Sequence, residues 1–158
     1  MSKAYVLLAV AGWALASSAA AAGQEVSNDL ARCAEGKGPS VLVHVRGVKE
    51  AAGRIRVQSY PATSGAWLAK GRWLHRVESR ANTGSMSFCV PVPAAGKYGI
   101  AVRHDRNANG KTDISKDGGG FSNNPGINIL NLGKPSVSKV AFYAGTGVTK
   151  ITINLQYM

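Results

Sequence analysis

From Val41 onward, apolar and polar residues alternate along most of the chain. Val41, Val43 and Val45 take turns with Leu42, His44 and Arg46, and after a short connection containing Gly47 and Gly53 the run GRIRVQSY continues the pattern. A period of two sends successive side chains to opposite faces of a strand, so the two runs predict strands paired as a hairpin. RWLHRVES and SMSFCVPV form a second such pair around RANTG, whose Asn82 and Gly84 favour a turn. After the turn PAAGK, the residues Tyr98, Ile100, Val102 and His104 share one face of YGIAVRHD. The chain closes with VSKVAFYA and VTKITINLQY, where Ile151, Ile153, Leu155 and Tyr157 alternate with Thr152, Asn154 and Gln156. No window sustains a helical period, and TSGAWLAKG suffices for a turn or two only.

About seven short strands separated by Gly, Pro and Asn turns predict an all-β domain, an antiparallel β-sandwich of the immunoglobulin-like kind. A small β-barrel is the alternative. One long irregular segment runs from Asp105 to Pro135. Loops of that length within a compact domain tend to carry function or to be disordered.

The first residues follow a different rule. Lys3 precedes an uncharged apolar run from Ala4 to Ala16, and A-x-A choices for cleavage lie near Ala20 to Ala22. That is the layout of a secretory signal peptide. The run is shorter than the about 20 apolar residues of a spanning helix, so no span is expected to remain after cleavage. Residues 1–22 are therefore expected to be the signal peptide, 23–40 an N-terminal arm and 41–158 a single sandwich domain. Cleavage is expected between about Ala20 and Gln24, and the protein is expected in the periplasm or outside the cell.

Charge narrows the partners. Nineteen basic residues face eight acidic ones, a formal net charge of +11, and the cations are scattered apart from the pair Arg54 and Arg56. For an exported protein the available anions are lipid head groups, acidic polysaccharides and acidic proteins, which excludes nucleic acid as a partner. Cys33 and Cys89 are the two cysteines, and an oxidising compartment favours one disulfide between them. In SMSFCVPV, Met86, Phe88, Val90 and Val92 share one face while Cys89 points the other way, so Cys33 must come from an arm crossing the outer face.

Candidate chemistry concentrates between His104 and Asn124. In DRNANGKTDISKD the oxygen-bearing residues Asp105, Asn107, Asn109 and Asp113, with Gly110 sixth and the Lys111 carbonyl seventh, follow the start of a calcium loop. Its far end departs: the twelfth position holds Lys116, and the nearest acid is Asp117. Arg106, Lys111 and Lys116 also offset the charges of Asp105, Asp113 and Asp117. Two outcomes stay open here, a weak calcium site and a turn closed by the Asp and Asn side chains themselves. In GGGFSNNPG, Phe121 is placed to stack on a ligand and Ser122, Asn123 and Asn124 to hydrogen-bond it, with His104 beside them; equally, these groups can satisfy the protein's own backbone. A hydrolase or metalloenzyme centred on His104 and Asp105 is the alternative to a non-enzymatic role. It lacks a G-x-S-x-G elbow, a pair of glutamates on one strand face, or any short-range spacing among His44, His75 and His104.

The combination VPAAGKYGIAVRHDRNANGKTD, then GFSNN, then a closing alternating strand resembles domain-of-unknown-function family 2141, exported bacterial proteins with a PxGxY turn, an HDxNxNGxxD loop and a GFSNN motif. The matching positions are His104, Asp105, Asn107, Asn109, Gly110, Asp113, Gly120, Phe121, Ser122, Asn123 and Asn124. This chain departs at Arg106, where members often carry an acid, and at KDGG, where an acidic, proline-containing segment is common. The resemblance implies a sandwich similar to transthyretin-like or carboxypeptidase-regulatory domains, and it implies no reaction. Together these features lead to an exported, non-enzymatic β-sandwich with no cofactor unless calcium is held weakly. It would bind or support an envelope component such as polysaccharide, anionic lipid head groups or protein.

Overall fold

Valine and isoleucine at alternate positions give each strand one oily face, and in the computed structural model these faces meet between two sheets. Residues 23–127 and 133–158 are described. The expected signal peptide, residues 1–22, lies outside the described residues. The strands are β1 (Gln24–Val26), β2 (Ser40–Val48), β3 (Arg54–Pro61), β4 (His75–Arg80), β5 (Gly84–Pro91), β6 (Gly96–Asp105), β7 (Gly118–Phe121), β8 (Phe142–Ala144), β9 (Val148–Asn154) and β10 (Gln156–Tyr157). A 3-10 turn, η1 (Leu30–Cys33), and a single helical turn, α1 (Val137–Val140), complete the described elements.

The larger sheet runs β1-β4-β3-β6-β7-β10 with β8 added beside β6, and the smaller runs β5-β2-β9. The sheets do not close on each other, so the barrel alternative falls and the sandwich stands. The antiparallel expectation needs one correction: β1 lies parallel to β4 and β2 parallel to β9, which makes both sheets mixed. Residues before Ser40, expected to be an arm, thus contribute an edge strand.

Both expected hairpins are also replaced. β2 pairs with β5 and β9, whereas β3 pairs with β4 and β6. The chain therefore changes sheets between β2 and β3, and again between β4 and β5. Alternation states which face of a strand is buried, but it is silent on the neighbour. Val41, Val43 and Val45 of β2 and Ile55 and Val57 of β3 are all fully buried, and they face each other across the core instead of lying side by side. The connection has more than the two residues of a tight hairpin, and its Gly53 at φ 71° sends the chain over to the other sheet. The closing run divides in the same way. Leu155 interrupts it, β9 joins the small sheet and β10 the large one.

The outer face of the small sheet is closed by its own sequence. Cys33 and Cys89 form a disulfide with Cα atoms 5.7 Å apart, bringing η1 across β5 as expected. Closing a separation of 56 residues is worth roughly 4 kcal/mol in the chain-entropy model. At one edge, Asn28 accepts from the Cys89 N–H (3.1 Å) and donates to the Ser87 carbonyl (2.9 Å). At the opposite edge, Asn124 accepts from the Asn154 N–H (2.7 Å) and donates to the Thr152 carbonyl (2.9 Å). Each amide occupies an N–H and a C=O two residues apart, as a neighbouring strand would, and so blunts an edge open to pairing.

Candidate functional site

The loop from Asp105 to Asp117 is held by its own polar atoms. Asp105, 4 % exposed, accepts from the backbone N–H groups of Asn109 (3.2 Å) and Gly110 (2.8 Å). Asn107 Oδ1 accepts from the Asn109 N–H and Asn109 Oδ1 from the Lys111 N–H, at 3.2 and 2.7 Å. Their Nδ2 groups both donate to Asp113 Oδ2, at 3.0 and 2.9 Å. The Asn107 amide first, and the Asn109 amide after it, hold the Asp113 carboxyl below its usual range. Asp117 accepts from the Arg106 and Asp113 N–H groups, at 3.3 and 2.9 Å.

This loop also contains a positive charge of its own. The Arg103 guanidinium reaches over from β6 and donates to Asp105 Oδ2 (3.4 Å), the Gly110 carbonyl (3.1 Å) and Thr112 Oγ1 (2.9 Å). Arg106 is fixed outside by Glu50 and by the Lys116 carbonyl. The bond from Arg106 holds the Glu50 carboxyl below its usual range and raises the guanidinium in turn. Among the described residues no group of three or more His, Cys, Asp or Glu side chains is placed to hold a metal. Of the expected ligand set, Asp105, Asn107, Asn109, Asp113 and Asp117 come together, but as partners of N–H groups, and Lys111 contributes its N–H.

His104 is sealed in the core, with no exposed surface. Nε2 lies 2.7 Å from the Ala52 carbonyl, which can only accept, so Nε2 carries the proton. Nδ1 then accepts from Tyr157 Oη at 2.7 Å, and that oxygen accepts from the Lys49 N–H at 3.2 Å. This chain ties the connection after β2 to β6 and β10, and it leaves neither ring nitrogen for a substrate.

The GFSNN residues are engaged in the same manner. Ser122 Oγ accepts from the Ile100 N–H (3.0 Å) and donates to the Val140 carbonyl (2.6 Å), clamping α1 to β6. Asn123 Nδ2 donates to the Ala141 carbonyl (2.9 Å), and Asn124 caps β9 as described above. Both asparagines sit at positive φ, 62° and 49°, which Asn tolerates. Of the expected ligand-binding group only Phe121 lines a hollow in the surface.

That space is a groove of about 330 Å³ on the outer face of the large sheet, which the sequence pattern did not disclose. Strand register builds its floor in two rows. Gln58, Ala101 and Phe121 stand side by side on β3, β6 and β7, and next to them stand Arg103, Gly119 and Gln156 on β6, β7 and β10. One end is aromatic: Trp67 packs edge-on between Tyr60 and Phe121, at centroid distances of 5.4 and 5.8 Å, and donates to the Pro135 carbonyl at 2.9 Å. The Asp105–Asp117 loop walls the other end through Thr112, Ile114 and Asp117.

Two features set this groove apart from the loops. The first is the glycine run of β7. A Cβ on Gly118 would meet the Tyr157 ring at 2.5 Å, and one on Gly120 would meet Ile153 at 2.7 Å, so packing excludes side chains there. On Gly119 the nearest atom among the described residues would be Ile127 Cδ1 at 3.5 Å, an ordinary contact. The second is a set of unengaged polar groups. The side chains of Gln58, Tyr60 and Lys134 make no hydrogen bond or ion pair among the described residues, and Arg103 Nε is buried without a partner. Burial raises the Tyr60 hydroxyl above its usual pKa and lowers the Arg103 guanidinium, the Arg56 charge adding to the latter.

A model of uncharacterized proteins conserved in bacteria, DUF2141, matches residues 43–152. The chain belongs to this family. The matched span runs from Val43 within β2 to Thr152 within β9 and so includes the loop, the GFSNN turn and most of the groove floor. No curated protein and no solved structure matches the chain. Among the described residues no helix is long and apolar enough to cross a membrane.

Proposed function

We propose that this DUF2141 member is an exported, non-enzymatic binding module of the bacterial envelope, periplasmic or secreted, that holds its ligand in the groove over Gly119. The observation that carries this reading is the bare floor. Among the described residues Gly119 has no packing reason to lack a side chain, and a strand glycine costs about 0.5–1 kcal/mol relative to alanine. The unengaged Gln58, Tyr60 and Lys134 converge on the same hollow, as polar groups do in small-molecule sites. The disulfide and the signal-like N-terminus support export.

Under this reading the Asp105–Asp117 loop is a wall of the groove, with Arg103 supplying the positive charge that calcium would otherwise bring. A hydrolase centred on His104 and Asp105 gains no support, because both side chains are buried and fully engaged. Native mass spectrometry of protein recovered from the envelope tests the proposal. Wild type should carry a bound small molecule that Gly119→Leu, with the floor filled, has lost. Equal adducts on both proteins would sink it.

A further inference from the structure

Resting on that reading, we infer that the groove takes a small amphipathic anion: a carboxylate or similar group paired with Lys134, with an apolar body lying over Ala101 and Gly119. The charge argument comes from which cations are already satisfied. All six ion pairs among the described residues use arginine, so the exposed lysines carry no acid partner. Lys134 is the lysine that lines the groove. Asp117 is the sole acid in the described lining, and both of its oxygens already accept backbone N–H groups. The described lining, Arg103 and Lys134 against Asp117, therefore carries one net positive charge.

Shape supplies the other half of the ligand. Ala101 and Gly119 leave the sheet flat and low, and Leu68, Phe121 and Ile127 rise beside them as apolar sides. Gln58 and Tyr60 Oη offer neutral hydrogen bonds along one flank. A volume of about 330 Å³ lies at the small end of the roughly 300–1,000 Å³ of ligand sites, which suits a single short chain and not a polymer segment.

The test uses octanoate, octan-1-ol and acetate as probes of the oxidised, ¹⁵N-labelled protein. Octanoate should shift the amide signals of Gln58, Ala101, Gly119 and Gln156 with an affinity of about millimolar, as expected for so few atoms. Gly119→Leu should weaken it by about tenfold or more, because the body then has no floor to lie on. Lys134→Gln should weaken octanoate by about three- to fivefold and leave octan-1-ol unchanged, with Lys150→Gln on the opposite face as a silent control. Acetate should produce no shift at these amides. If octan-1-ol binds the same amides as tightly as octanoate, the anion is wrong and the groove remains. If octanoate shifts scattered lysines in common with acetate, or leaves the groove amides unmoved, the inference is overturned; the reading of the groove itself falls only if the envelope-derived protein is also empty.

Discussion

The two outer faces of the sandwich are built from similar residue types and finished in opposite ways. Over the small sheet a disulfide pulls η1 across β5, and Asn28 and Asn124 close the two edges. Over the large sheet the strands end in a low floor at Ala101 and Gly119, bounded by Trp67 and its aromatic neighbours on one side and by the Asp105–Asp117 loop on another. Polar residues crowd both faces. On the first, Asn28 and Asn124 are engaged with the backbone and His44 with Ser87, while Arg46 and Lys150 point to solvent; around the groove Gln58, Tyr60 and Lys134 stand over a hollow. Of the described groove side chains only Arg103 has a polar atom, Nε, that is buried without a partner, and such an atom costs free energy. The density of Asp and Asn is thus a poor guide to a site in this protein, because those side chains are bonded within the fold.

The strongest way to break the closed face is to remove its covalent tie. Cys33→Ser with Cys89→Ser should lower the unfolding free energy by up to about 4 kcal/mol in urea titration, while the groove keeps its ligand. Loss of groove binding at temperatures where the variant is folded would show that the two faces are not independent.

Next in size is the loop that the two readings of the motif share. Asp105→Ala leaves the Gly110 N–H without its side-chain acceptor and takes one of several acceptors from the Asn109 N–H and the Arg103 guanidinium, and should cost about 2 kcal/mol. Calcium should not matter to either protein. Melting in chelator and in calcium should agree, and a calcium-specific rise in wild type that Asp105→Ala lacks would return the loop to the ion. Smaller again are the edge amides. Asn28→Ala or Asn124→Ala removes two hydrogen bonds and should cost about 1–2 kcal/mol each, and the double variant should associate through its opened edges in light scattering.

How much of this was legible differs from segment to segment. The inward valines, the outward Cys89 and the shared face of Tyr98, Ile100, Val102 and His104 follow from period-two alternation, and all took their expected places. The neighbours of β2 and β3 did not, because alternation carries no information about which strand lies alongside. D-x-N-x-N-G marked a tight loop correctly. Its internal cation escaped notice because Arg103 precedes the motif on β6 and meets Gly110 and Thr112 only once the chain has turned back. The groove is harder still, since Gln58, Ala101, Gly119 and Gln156 come from four strands. Its one local signal was the glycine run, and a sequence cannot separate Gly118 and Gly120, excluded by Tyr157 and Ile153, from Gly119, which none of the described residues crowds.

That distinction is open to direct measurement. Equilibrium unfolding of Gly118→Ala, Gly119→Ala and Gly120→Ala compares three adjacent positions of one strand under identical conditions. The outer two variants should lose about 1–3 kcal/mol to overpacking, and Gly119→Ala should gain about 0.5–1 kcal/mol by removing a strand glycine without a clash. A comparable loss at all three positions would mean that packing demands the middle glycine as well, and the hollow above it would then have no claim to be a binding site.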